Sequence, residues 1–143
     1  MVKRYDASVK HGLIAAPYDQ STGVQWYNGS SVFTGANGIA IGTGNENTNA
    51  IVSIQGVGNY AAKLCSDLDI GGYSDWYLPS KNELSKLFIN RVAIGGFANS
   101  EYWSSSEYIG TNNWKAWSQS FSDGGQHDYS KDYVFNVRAV RAF

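Results

Sequence analysis

"EYWSSSEYIGTNNWKAWSQSF", residues 101–121, sets three consecutive serines between a tryptophan and a carboxylate. Tyr102, Trp103, Tyr108, Trp114, Trp117 and Phe121 surround them. The stretch is either a nucleophile with an acid beside it or a strand rich in hydroxyls. Its alternation favours the strand. Tyr102, Ser104, Ser106 and Tyr108 share one face, and Trp103, Ser105 and Glu107 share the other. Small hydroxyls suit a strand pressed against another backbone, because they can satisfy a neighbouring carbonyl. A nucleophile would need a base. The sole histidines are His11 and His127, and no G-x-S-x-G elbow occurs.

Outward from this stretch, "WKAWSQSF" and "YVFNVRAVRAF" also alternate. Gly/Asn/Asp-rich segments at 109–113 and 122–132 separate the three runs, which predicts an antiparallel meander of strands at 102–108, 114–121 and 134–143. Towards the N-terminus, "PSKNELSKLFINR" (79–91) reads as a helix. Ser80 is its N-cap, Glu83 completes a capping box, and Leu84, Leu87, Phe88 and Arg91 mark one face. Apolar spacing of three and four over 48–55 and 59–68 predicts two short helices hinged at Gly56-Val57-Gly58. The Gly/Asn/Thr-rich stretch 35–49 reads as a loop. "HGLIAAP" (11–17) reads as a buried strand, and Asn28-Gly29 within "VQWYNGSSVF" (24–33) as a hairpin turn. Helices in the middle with strands at both ends make the class α+β.

Composition narrows the function. A chain of 143 residues is the size of one domain, 1–143. A net charge of −1, with Lys3, Arg4 and Lys10 as the densest basic cluster, offers no stripe for nucleic acid. No apolar run is long enough to span a membrane, and Met1-Val2-Lys3-Arg4 does not lead into a signal peptide. Cys65, the one cysteine, sits at helical spacing from Ala61 and Leu68 and reads as a structural thiol. Gly56, Gly58 and Ala61 spell a G-x-G-x-x-A with Asp75 downstream, yet the repeated βαβ units of a dinucleotide fold are missing. Asp123, Asp128 and Asp132 lack the spacing of a calcium hand, and no metal or cofactor is expected. Asn28-Gly29-Ser30 matches a glycosylation acceptor that the turn already explains. The abundance of Tyr, Ser, Gly and Asn is the palette of antibody paratopes, where rigid rings supply area and small polar groups supply adaptable hydrogen bonds.

"GYSDWYLPSKNELSKLF" (72–88), "YWSSSE" (102–107), "AWSQSF" (116–121) and "VRAVRAF" (137–143) carry a resemblance. With "HGLIAAPYDQSTGVQWYNG" near the start, they resemble the bacterial domain family of the Legionella collagen-like adhesin C-terminus and the Fibrobacter succinogenes major paralogous domain. That resemblance implies a C-type-lectin-like fold, related to formylglycine-generating enzymes and to the variable proteins of diversity-generating retroelements. It implies that Trp76, Leu78, Trp103 and Trp117 are core anchors, and that a leading strand before Tyr5 is trimmed. The calcium-dependent signatures Glu-Pro-Asn, Gln-Pro-Asp and Trp-Asn-Asp are absent, and one cysteine cannot supply the pair of the formylglycine-generating branch.

The expected function is a non-catalytic binding module of an exported or phage-borne protein, extracellular, on a cell surface or on a virion. Its expected partner is a protein or glycan on a cell surface, with a homotrimer as one expected assembly. A structural cap or oligomerisation domain and a formylglycine-generating-like enzyme are the alternatives. In the retroelement branch, diversified residues precede the closing strand. The expected ligand-binding residues lie in two loops: Tyr108, Asn112, Asn113 and Trp114 in the first, and Asp123, Gln126, His127, Asp128, Tyr129 and Tyr133 in or beside the second.

Overall fold

The structure, a computed structural model, describes residues 12–110 and 112–143. Along the chain run β1 (Leu13–Ala15), β2 (Ser21–Val24), α1 (Gly44–Gln55), α2 (Ala61–Ser66), α3 (Lys81–Ile89) and α4 (Arg91–Ile94). Strands β3 (Glu101–Glu107), β4 (Lys115–Ser120), β5 (Gln126–Ser130), β6 (Phe135–Val137) and β7 (Val140–Ala142) follow. Five strands form one sheet in the order β2-β6-β3-β4-β5, parallel only between β3 and β6. β1 and β7 make a separate antiparallel pair, extended by a bridge from Tyr77 to Val140. The fold is α+β.

β3 is the spine, and it sends alternate rings to opposite faces. Trp103 enters a cluster with Trp26, Ile51, Ala61, Cys65, Trp76, Leu78 and Ala116. Tyr102 enters a second with Tyr77, Leu84, Leu87, Phe121 and Val140. The central sheet therefore has a core on each face, which fixes its register. The three serines between are fully buried and hydrogen-bonded: Ser104 Oγ donates to the Trp117 carbonyl at 2.7 Å and Ser106 Oγ to the Gly38 carbonyl at 2.7 Å, while Ser105 Oγ accepts from Asn47 at 3.2 Å.

The helices follow local signals. Ser80 and Glu83 form the expected capping box. Glu83 does more: its carboxylate also accepts from the N–H groups of Gly42 and Gly44, so it covers the positive start of α1 from another element. This is why α1 begins at Gly44, inside the stretch expected to be loop.

Four further expectations are corrected. The 24–33 hairpin does not form: β2 pairs with β6, and the Trp26 N–H donates to the Lys131 carbonyl. Burial of the Trp26 ring, with its Nε1 donating to the Ser104 carbonyl at 2.8 Å, overrides the local turn preference. Asn28 instead clamps the α1–α2 connection, donating to the carbonyls of Gln55 and Val57. The 11–17 strand is real but short and half-exposed, Ile14 being 42% exposed; His11 lies outside the described residues, as do Lys3, Arg4 and Lys10. The segment 122–132, read as loop, contains β5. The closing run 134–143 is two strands, not one. The buried Arg138 between them donates to the carbonyls of Ala16 and Gly95 and pairs with Asp19, so β6 stays in the large sheet while β7 leaves for β1.

Candidate functional site

Residues directly opposite in an antiparallel pair share a face. The β4–β5 register places Ala116 against Tyr129 and Ser118 against His127, and on the reverse face Trp117 against Asp128 and Gln119 against Gln126. The expected site residues therefore divide between two faces of one ribbon.

On the first face a line of rings climbs out of the core. Phe135 packs on Trp103 at 4.6 Å, Tyr129 on Phe135 at 5.6 Å, and Tyr133 stacks on Tyr129 at 5.5 Å. His127 lies 5.1 Å from Tyr129 and its Nδ1 is 3.0 Å from Glu101 Oε2. Tyr133, at the outer end, is 49% exposed. Tyr129 thus has a folding duty that the sequence did not show, as the link between core and surface rings.

The second face gathers Tyr108 and Asp128 with Trp117, Lys81 and Lys115, none of which was among the expected site residues. Trp117, expected in the core, is only half-buried. Tyr108 meets its edge at 5.7 Å and Lys81 Nζ sits 3.7 Å above its ring. Lys115 Nζ lies 4.7 Å from Trp114, which is 42% exposed, and 3.8 Å from the Asp128 carboxylate. One signal could have found Trp117: its β4 neighbours Ala116 and Ser118 are small residues, suited to the tight inner face and leaving the indole for the other.

The remaining residues lie at opposite ends of the ribbon. Asn112 and Asn113 are in the β3–β4 loop, where the Asn113 amide donates to the Ser31 carbonyl and the Asn112 side chain accepts from the Trp114 N–H. Asp123 lies in the β4–β5 turn, its carboxyl held below the usual carboxylate range by the Gly125 N–H. Gln126 is exposed at the start of β5. A single patch holding all ten residues is not formed.

Beneath the loops the scaffold is pinned by buried charge. Lys131 and Glu107, both fully buried, pair at 2.6 Å, and Glu107 also accepts from the Thr34 N–H. Lys131 Nζ donates in addition to the Val32 carbonyl. Burial pulls the lysine down from its ordinary range while the carboxylate opposes this. With Glu107 held by Lys131 and His127 by Glu101, the serine run has no Glu107–His127 pair beside it. Cys65 is buried, and burial alone pushes its thiol up. Among the described residues no group of acids, cysteines and histidines could hold a metal, and no helix is long and apolar enough to cross a membrane.

Two cavities lie elsewhere, against β1, α3 and α4. One of about 490 Å³ is bordered by Leu13, Asn45, Asp75 and Phe143, and one of about 480 Å³ by Leu87 and Ile94, with Leu13 and Ile41 common to both. None of the ten expected site residues lines them.

No curated protein matches the chain. Residues 16–141 match the Lcl C-terminal domain family, a span running from the residue after β1 into β7 and taking in the whole large sheet and every helix. The chain belongs to the Lcl C-terminal domain family.

Proposed function

We propose that the protein is a non-catalytic recognition module of a surface adhesin or related exported protein, binding a protein or glycan through the β3–β4 loop and the β5 ribbon. One observation carries this reading. Trp114 and Tyr133 stay exposed at the rim of a sheet that has a core on both faces, so their aromatic area is not consumed by folding. Rings on rigid supports lose little entropy when they bind, and loops on such scaffolds are where binding groups concentrate. Membership of an adhesin-associated family supports the surface setting. A C-type-lectin-like fold and loop diversification, in a phage-borne or retroelement setting, belong to the same proposal and rest on the family resemblance.

The test is a glycan and protein array probed with the parent and with the triple variant Tyr108→Ala, Trp114→Ala, Tyr133→Ala. Loss of the parent's hits with unchanged circular dichroism supports the site, and retention of every hit refutes it. The apolar rim near α3 and α4, where Ile41, Ile89 and Val92 are 51%, 66% and 89% exposed, favours a second reading as an assembly surface. Light scattering of the parent tests that reading, with a homotrimer as one expected outcome.

A further inference from the structure

β5 is the outer strand of the five-stranded sheet. At its two ends the Ser120 N–H donates to the Gly125 carbonyl and the Lys131 N–H to the Trp114 carbonyl, both at 2.8 Å. Hydrogen-bonding pairs alternate along an antiparallel ladder. His127 and Tyr129 therefore turn their backbone groups towards β4, and Gln126, Asp128 and Ser130 turn theirs outward. Of these, the Ser130 carbonyl accepts from the Tyr133 N–H. The N–H and C=O of Gln126 and Asp128, and the N–H of Ser130, have no partner among the described residues.

Such a row is a template for another strand, and natural proteins usually blunt it with lysine, proline or a bulge. The opposite edge, β2, is interrupted by a register shift. β5 pairs with β4 over all five residues without a shift and contains neither lysine nor proline. Rings stand on both sides of it: Tyr129 and Tyr133 on one face, Trp117 on the other. The charge there is net acidic: Asp123, Asp128 and Asp132 outnumber Lys115 and Lys81, the latter standing over the Trp117 ring. Asp123 precedes the strand and Asp132 follows it, Lys115 offsets Asp128, and Lys131 is buried against Glu107.

We infer that the ligand of this site is an extended polypeptide that adds to β5 as a sixth strand, apolar over its centre and basic at both ends. Its backbone supplies the partners for Gln126, Asp128 and Ser130, and its alternate side chains lie against the two ring-lined faces. This rests on the proposed recognition role and narrows its ligand to a peptide. A strand of five residues spans about 17 Å, which sets the scale for the spacing of the basic ends.

The probe is the peptide KKVTVTVKK, titrated by tryptophan fluorescence and by amide hydrogen exchange of the full chain. Binding should slow exchange at Gln126, Asp128 and Ser130 by about tenfold or more. Methylating alternate backbone nitrogens of the peptide, which keeps its side chains and charge, should weaken binding by about tenfold or more, as should the charge-reversed EEVTVTVEE. Asp128→Pro removes an N–H that the β4 ladder does not use, so the fold should survive while strand addition is blocked. Absence of binding, equal binding of the methylated peptide, protection outside β5, or edge-to-edge dimerisation through β5 would each overturn the inference. Array hits lost in the aromatic triple variant but kept by Asp128→Pro would refute strand addition alone. Array hits kept by both would refute the recognition site as well.

Discussion

β3 and β5 belong to the same sheet and draw on similar residues, since EYWSSSE and QHDYS both mix rings, hydroxyls and charges. Their fates are opposite. From Tyr102 to Glu107 every residue of β3 is buried, whereas no residue of β5 is. The difference is position: among the described residues β3 has a strand on each side and a core on each face, while β5 has β4 on one side only. A hydroxyl or a ring in the centre is used up by neighbours, and the same group at the edge remains available to a partner. The two lysine–carboxylate pairs repeat the contrast. Lys131–Glu107 is sealed at 2.6 Å, and Lys115–Asp128 lies partly exposed at 3.8 Å.

If this contrast holds, substitutions should lose effect from centre to edge. Trp103→Ala empties a fully buried site and should cost about 3–5 kcal/mol, enough to unfold the chain or lower its melting temperature sharply. A stable Trp103→Ala protein would break the comparison at its strongest point. Glu107→Gln strands the Lys131 ammonium without a counter-charge and should cost about 3 kcal/mol in urea unfolding. The double change Glu107→Leu, Lys131→Met should recover much of that loss, because the desolvation penalty goes with the pair.

Tyr102 sharpens the comparison through pH. Burial, then its hydrogen bond to Asp19, pushes the phenol up from 10.0 to about 12. The unfolded chain ionises first, so this part of the stability is intact below pH 10 and is lost as pH rises towards 12. Tyr102→Phe should flatten that limb of an alkaline unfolding curve. At the edge, Asp128→Ala should change stability by about 0–1 kcal/mol, less in high salt. Trp114→Ala should move the melting temperature least, with a change within about 0.5 kcal/mol, while still weakening ligand binding. A large loss of stability in either edge variant would mean that β5 and its loop are part of the core.

What the sequence determined by itself was whatever depends on near neighbours. Ser80 and Glu83 are three residues apart, so the capping box and α3 could be read directly. The alternation around Trp103 placed β3 and its serines as close-packed structure, and the apolar spacings placed α1 and α2 on either side of Gly56. Tertiary structure decided the rest. Trp26 left its expected hairpin for a carbonyl in β3, Trp117 took the outer face of β4, and Arg138 split the last run between two sheets. β5 formed in a Gly- and Asp-rich stretch because β4 offered it a ladder, not because its residues favour strands. The ten candidate binding residues were legible as a composition, while their division between two faces needed the β4–β5 register. Local interactions are encoded a few residues apart, but which face a ring covers and which edge stays open depend on partners brought together from distant parts of the chain.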